Sequence, residues 1–181
     1  MTIRRLLPGD AAAYRTLMLE AYERHPDAFT SSAAERAALP LSWWEVRLAP
    51  EPQPDSLVLG AFEGERLAGV VGLSFESREK MRHKAMLFGM YVAPNVRRGG
   101  LGRRLVLAAL EEARRRGGIR VVQLTVSAGN AGAQALYEQC GFAPFGVEPL
   151  AFLVGPDLVS KVHMWCDLET AGRPRGADET P

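Results

Sequence analysis

The sequence predicts an α/β fold built on one mixed sheet, and three observations predict it. Apolar residues 85–92 read as a strand, the amphipathic segment 101–116 as a helix, and the β-rich run 119–126 as a further strand. A strand, a crossover helix and a strand in that order make a right-handed β-α-β unit, whose two strands run parallel. Upstream, two Val- and Leu-rich runs, 56–62 and 66–75, flank Glu63-Gly64 and read as an antiparallel hairpin.

The remaining elements follow in chain order. Residues 3–6 suit a short first strand closed by Pro8-Gly9. Asp10 is placed to cap a helix over 11–24, where Tyr14, Leu17, Met18 and Ala21 repeat at helical spacing. Ser32-Ala-Ala-Glu35 is a capping-box pattern that opens a short helix ending before Pro40, and Ser42-Trp-Trp-Glu45 repeats it. Pro50, Pro52 and Pro54 form a stiff connector. In the helix over 101–116, Leu101, Leu105, Ala109 and Ala113 share one face, and Glu111 with Arg115 and Glu112 with Arg116 are i,i+4 pairs on the other. Gly117-Gly118 ends it. Asn130 is placed to cap a helix over 131–139 that stops at Gly141. Segments 142–145 and 161–168 are closing strands, giving six or seven in all, and the residues between them carry no clear pattern. Residues 1–170 read as one domain, and 171–181, rich in Gly, Pro and charge, as a disordered tail.

Composition narrows the function classes. The net charge of this 181-residue chain is +1, so the arginines around Gly100 are a local feature rather than the background of a basic protein, against nucleic-acid or membrane-surface binding. Cys140 and Cys166 make no disulfide framework, and neither has metal-ligand spacing to His25, His83 or His163, so no metal is expected. The N-terminus lacks the apolar region of a signal peptide and no run approaches a membrane span, so a cytoplasmic protein is expected.

Chemistry concentrates between the strand at 85–92 and the helix at 101–116, where three glycines and four arginines lie in Val92-Ala-Pro-Asn-Val-Arg-Arg-Gly-Gly-Leu-Gly-Arg-Arg-Leu105. A strand, a Gly-rich turn and a helix N-terminus make an anion site, because free backbone N–H groups point outward and the helix dipole favours negative charge. The stretch is not a P-loop, having no Gly-Lys-Ser/Thr ending, and Gly100-Leu-Gly-Arg-Arg-Leu105 fails the dinucleotide fingerprint at its third glycine. Arg97-Arg-Gly-Gly-Leu-Gly102 does fit Arg-x-x-Gly-x-Gly, and it resembles the acyl-CoA pyrophosphate loop of the GNAT superfamily of N-acetyltransferases. Asn130-Ala-Gly-Ala-Gln-Ala-Leu-Tyr-Glu-Gln-Cys-Gly-Phe142 resembles a second block of that superfamily, in the family's order.

The resemblance implies a strongly twisted central sheet in which two parallel strands splay apart, acetyl-CoA as co-substrate, and direct attack by an amine on the thioester. Main-chain groups of Met90, Tyr91 and Val92 would pair with the pantetheine arm as an added strand does, with Gly89 marking a bulge. Arg97, Arg98, Gly99, Gly100, Leu101, Gly102 and Arg103 would hold the pyrophosphate, with Arg103 or Arg104 reaching the nucleotide's 3′-phosphate. Asn130 would cap its helix and contact the same arm. Tyr137, two turns on, would donate to the departing thiolate as a general acid, and the Met90 N–H would stabilise the oxyanion.

The chain departs from the family at Phe88, where many members carry a glutamate that serves as base. Glu76 is the best substitute by position, with Glu35 and Glu45 weaker, and water relayed to bulk is the alternative. Phe29, Trp43, Trp44 and the region of Phe152 would bound the acceptor pocket, with the two tryptophans better suited to core packing. The histidines and Cys140 read as structural. The main expectation is therefore acetyl transfer to a primary amine of a small molecule, protein or peptide, in a chain compatible with a homodimer. The competing one is a non-catalytic acyl-CoA-binding or sensing domain.

Overall fold

The parallel strand pair at the middle of the sheet sets the architecture. The computed structural model describes residues 1–97 and 99–170. Strands β1 (Thr2–Arg5), β2 (Ser56–Glu63), β3 (Arg66–Phe75), β4 (Lys84–Val92), β5 (Val121–Ser127), β6 (Ala143–Val154) and β7 (Asp157–Asp167) form one sheet, ordered β1-β2-β3-β4-β5-β7-β6. Every neighbouring pair is antiparallel except β4 and β5. Those two pair only at Lys84↔Val121, Ala85↔Val122 and Met86↔Gln123. Beyond Met86 they separate, which is the splay that the resemblance implied.

Among the described residues five α-helices cover the sheet: α1 (Ala11–Arg24), α2 (Ala33–Ala37), α3 (Leu41–Val46), α4 (Leu101–Arg116) and α5 (Ala131–Gln139). Residues of β2 alternate between two cores, as a period of two requires. Leu57, Leu59 and Ala61 pack with α4 and α5, around Leu105, Ala109, Leu110, Leu124 and Met164. Val58 and Phe62 pack on the other face with α1 and α3, around Tyr14, Met18 and Trp44. Full burial of each large aliphatic side chain contributes about 1.5–3 kcal/mol.

Helices α1, α4 and α5 begin and end where their periodicity predicts. The local chemistry differs in several places. Asp10 does not cap α1: its carboxylate accepts from both Arg4 Nη atoms (2.7 and 2.8 Å) and from the Leu7 N–H (2.8 Å), tying the end of β1 to the turn before the helix. Helix α3 starts two residues early with Pro40 at its N-cap, so Ser42 lies inside the first turn and its capping-box pattern goes unused. Glu63 pairs with Arg66, which makes Gly64-Glu65 the hairpin turn, with Gly64 at φ +61°. Glu111 does meet Arg115 (3.7 Å), but Arg116 does not meet Glu112. Its guanidinium donates to the Pro54 carbonyl (2.6 Å) and lies 3.9 Å from the Phe75 ring centroid, so Glu112 takes Arg115 instead (3.8 Å).

The largest difference is the final hairpin. The stretch after Phe145 without a pattern is strand, turn and strand, with Gly155 at φ +58° in the turn between Val154 and Asp157. Pro149 lacks an N–H and interrupts the pattern, and the structure absorbs it in an irregularity between Glu148 and Phe152, where Leu150 has φ +53°. Residues 171–181, read as a disordered tail, lie outside the described residues.

Two residues on paired strands fit against each other beside a cavity that Phe88 lines. Gly72 faces Phe88 across β3 and β4, and a Cβ built on Gly72 would overlap the Phe88 ring. Gly72→Ala is expected to lower stability by about 1–3 kcal/mol, a loss of a few degrees in Tm. Phe88→Leu in the same chain should recover most of that loss, and equal losses in both backgrounds in thermal unfolding would show that ring overlap is not the cause.

Candidate active site

The site forms where the splayed strands, the Gly-rich turn and α5 converge. Along β4, Val70 faces Tyr91 and Gly72 faces Phe88, so Gly89 and Met90 together oppose Val71. This is a bulge, with Gly89 at φ +58°, a conformation that costs glycine little. It lies on the stretch of β4 that has left β5, so backbone groups there face the gap rather than a neighbouring strand.

The Gly-rich turn delivers α4 to the same gap. Gly100 begins the helix at φ +72° with no side chain over its end, and the first bond into the helix runs from Arg104 N to Gly100 O (3.1 Å). The N–H groups of Leu101, Gly102 and Arg103 precede that bond and are the helix's free donors. Gly102 permits the approach of three elements: a Cβ there would lie 3.1 Å from Met90 Cε and 3.2 Å from Leu136 Cδ2.

The predicted binding residues are largely brought together. A cleft of about 760 Å³ is lined by Met90, Tyr91, Val92, Arg97, Gly100, Leu101, Gly102, Arg103, Asn130 and Tyr137. Gly99 is exposed beside it, and Arg98 lies outside the described residues. Arg104 is not part of it, because its guanidinium donates to the Met1 carbonyl (3.0 Å). The Tyr91 ring is buried against α1, its hydroxyl donating to Glu20 (3.3 Å). Arg97 is held in place before any ligand arrives: Nε donates to Val92 O (2.9 Å), Nη2 lies 3.0 Å from His25 Nε2, and the guanidinium stands 5.4 Å from the Tyr91 ring centroid. His25 was read as structural, and it lines the cleft instead. Its partner is 72 residues away in sequence, so no local spacing signals it.

Helix α5 supplies the remaining polar groups. Asn130 Oδ1 accepts from Ala133 N–H (3.1 Å), as its capping role requires. Tyr137 is 8% exposed, and its hydroxyl donates to the Met90 thioether (3.6 Å). Burial pushes its phenol up to about 12, so it is a proton donor across the neutral range. Cys140 is buried, and desolvation raises its thiol, which suits packing rather than nucleophilic work.

A second cavity of about 290 Å³ opens on the other side of Tyr137. It shares Phe29, Met90, Asn130 and Tyr137 with the cleft, so the two volumes meet at these residues. Trp43 and Trp44 do both jobs that were set against each other: Trp44 is 1% exposed in the α1–α3 core, and both rings line this cavity. Phe152 does not line it; Lys161 does, with its ammonium 5.2 Å from the Phe152 ring centroid.

The substitute bases are elsewhere. Glu76 borders a separate recess of about 60 Å³ and pairs with Arg78 (3.0 Å). Glu35 accepts from the Ser32 N–H (2.9 Å) in the capping box of α2, and Glu45 does not reach the cavity. Among the described residues lining the second cavity there is no Asp, Glu or His. Among the described residues, no three His, Cys, Asp or Glu side chains gather as a metal site would need, and no helix is long and apolar enough to cross a membrane.

The sequence model of the acetyltransferase (GNAT) family matches residues 14–142. The chain belongs to that family. A GNAT-family acetyltransferase from Streptococcus pneumoniae superposes with a TM-score of 0.82 at 26% identity, over 91% of this chain and 97% of that one. The protein yncA of Salmonella typhimurium, solved with its cofactor acetyl-CoA, shares the fold with a TM-score of 0.76 at 24% identity, over 100% of this chain and 99% of that one. In sequence the chain is 29% identical over 145 residues to mycothiol acetyltransferase of Salinispora arenicola, covering 79% of this chain and 45% of that protein. The chain spans less than half the length of the curated relatives it matches.

The environment of Tyr137 makes a prediction that needs no ligand. In a spectrophotometric alkaline titration, the absorbance lost in Tyr137→Phe relative to wild type should correspond to an ionisation near pH 12. A phenol raised on folding favours the native state below the unfolded value of about 10 and loses that contribution as pH rises toward 12, so the variant should also lose less stability across that window. A difference spectrum titrating at pH 10 would show an exposed, ordinary tyrosine.

Proposed function

We propose that this chain transfers the acetyl group of acetyl-CoA to a primary amine by direct attack. The observation that carries the reading is the meeting of two cavities at the Tyr137 hydroxyl and the Met90 bulge. One of them presents an open helix N-terminus and arginines to an anion, and the other is walled by aromatic rings.

The donor side suits acetyl-CoA in size and chemistry. A cleft of about 760 Å³ is in the range of sites for large organic ligands. At Gly100 a Cβ would meet nothing within 4 Å, so that side of the helix end is open to a phosphate. The N–H groups of Leu101, Gly102 and Arg103 bind the pyrophosphate, and Arg97 and Arg103 add charge-assisted bonds. Met90, Tyr91 and Val92 offer the free edge of β4 to the pantetheine amides. The Met90 N–H supports the oxyanion, and Tyr137 gives its proton to the departing sulfur, after which no protein-bound acyl group remains. The raised Tyr137 phenol supports this role, because the group stays protonated until it is used.

Two buried free cysteines support a reducing, cytoplasmic setting. Exposed Phe145, Val147, Leu153 and Leu158 on the β6–β7 hairpin support a homodimer. Residues 1–170 act as one domain in this reading.

One observation favours the alternative of a non-catalytic acyl-CoA-binding domain: among the described residues, the second cavity has no carboxylate or histidine to take the amine's proton. Two measurements decide. Wild type should bind acetyl-CoA at micromolar concentration in calorimetric titration, and Gly100→Trp should weaken it at least about tenfold by filling the loop. Tyr137→Phe should keep that affinity and lose about 10²-fold in kcat on an accepted amine. Acetyl-CoA binding with no turnover over a broad amine panel would favour the binding domain, and no binding would end both readings.

The missing base has its own consequence. With no carboxylate or histidine among the described residues lining the second cavity, kcat/KM should rise with pH until the acceptor amine itself is neutral, and the midpoint should move when an amine of different pKa is used. A midpoint fixed near pH 6–7 for every acceptor would reveal a protein base.

A further inference from the structure

The charge of the second cavity is one-sided. Arg36 on α2, Arg47 just after α3 and Lys161 on β7 line it, and among the described residues no acidic side chain does. None of the three forms an ion pair with a described carboxylate. Their partners are neutral. Arg36 Nη2 donates to Ser31 Oγ (2.7 Å), and Lys161 Nζ donates to Thr30 Oγ1 (2.8 Å). Arg36 and Arg47 each stand 4.7 Å from the Trp43 ring centroid.

The nearby acids are otherwise engaged. Glu35, beside Arg36 in sequence, is bound to the Ser32 N–H. Glu148, opposite Lys161 in the sheet, is 2.8 Å from His163 Nε2. Tyr14 and Tyr22 also line the cavity, and burial raises both phenols, so neither supplies a negative charge.

Two buried donors there lack partners. Trp44 Nε1 has no hydrogen-bond partner although the residue is 1% exposed, and Arg36 Nε is likewise buried and unpaired. An unpaired buried donor is costly, and two neighbouring guanidiniums with neutral partners and no carboxylate add to that cost, unless a ligand completes them. Together these are the requirements of an anion.

We infer that the acetyl acceptor is a small primary amine carrying an anionic group, carboxylate or phosphate, held by Arg36, Arg47 and Lys161 while its amino end reaches Met90 and Tyr137. The aromatic rings of Phe29, Trp43 and Phe88 cover the body between the two ends. The inference rests on the transferase reading for its amine and on the cavity alone for its anion.

The test compares matched acceptors on the full chain: phenylalanine against phenylalaninamide, phosphoethanolamine against ethanolamine, and cadaverine as a cationic control. The acceptor with the anion should have a kcat/KM at least about tenfold above its neutral partner, as expected for charged hydrogen bonds. Which pair shows the larger ratio separates carboxylate from phosphate. Arg47→Gln and Arg36→Gln should each bring the ratio close to one, with an acetyl-CoA titration reporting that the variants are folded. Equal or better use of the neutral amines or cadaverine would overturn the inference.

Direct binding keeps the two readings apart. Calorimetric titration of the same compounds needs no turnover. Binding of an anionic amine that is lost in Arg47→Gln would support the anion site even if nothing is acetylated and the transferase reading fails. Turnover of amines with no preference for the anion, or no binding of either anionic probe, would overturn the anion site and leave acetyl transfer standing.

Discussion

The separation of β4 from β5 is the constraint on which the rest depends. Parallel strands that part after three paired residues leave backbone N–H and C=O groups without a strand to bond, and such groups are costly unless they meet water or a ligand. The bulge at Gly89 and Met90 lies on this unpaired stretch and turns it further from the sheet. Both exits from the gap are then occupied by helix N-termini: β4 leads through the Gly-rich turn into α4, and β5 leads through Gly129-Asn130 into α5. One departure from regular pairing thus places an unsatisfied strand edge, the free donors at the start of α4, the Asn130-capped start of α5 and Tyr137 around the same volume. Gly102 is the residue that lets them close on it, since any larger side chain would push Met90 and Leu136 away.

The near-neutral net charge conceals a separation of charge. The acids are spent on the outside, in pairs such as Glu76–Arg78, Glu148–His163 and Glu111–Arg115, whose exposed members contribute little to stability. The second cavity keeps cations with no carboxylate among its described lining residues, and the donor cleft holds two arginines against one aspartate, Asp27. Arg97 and Arg103 face the donor cleft, and Arg36, Arg47 and Lys161 face the second cavity. A total of +1 argues against a nucleic-acid surface, because that needs a broad basic face, but it carries no information about concave sites.

What could be read from the sequence was what neighbouring residues determine. The period of 3.6 fixed α4, a glycine pair ended it, and Asn130 with Gly141 bounded α5, all within one or two turns of chain. The Arg-x-x-Gly-x-Gly block placed the donor cleft because its donors come from consecutive residues. The second cavity was nearly illegible. Its cations come from α2, the end of α3 and β7, up to 125 residues apart, and each alone reads as a solvated surface charge. His25 and Arg97 are another long-range pair. The β6–β7 hairpin was missed for a local reason, since Pro149 and Gly155-Pro156 are punctuation that normally marks a loop, and here one is absorbed in a bulge and the other forms a two-residue turn.

The absence of a base and the excess of cations are two aspects of one arrangement on this reading. An amine entering a cavity lined by three cations and no carboxylate is disfavoured as an ammonium, because like charges raise the cost of the charged form. A single cation about 8 Å away, at an effective dielectric of about 20, is worth roughly 2 kcal/mol, or about 1.5 pKa units. The acceptor's own anion offsets part of that field, and the remainder still lowers the amine toward neutrality. Desolvation beside Phe29 and Phe88 acts in the same direction. A glutamate at position 88 would have done the opposite, holding the ammonium before accepting its proton. Phe88, its ring fitted over Gly72, removes that anion from the cavity and leaves deprotonation to the field and to water. The substitution that looked like a lost base in the sequence is consistent with a site built for an acceptor that brings its own negative charge.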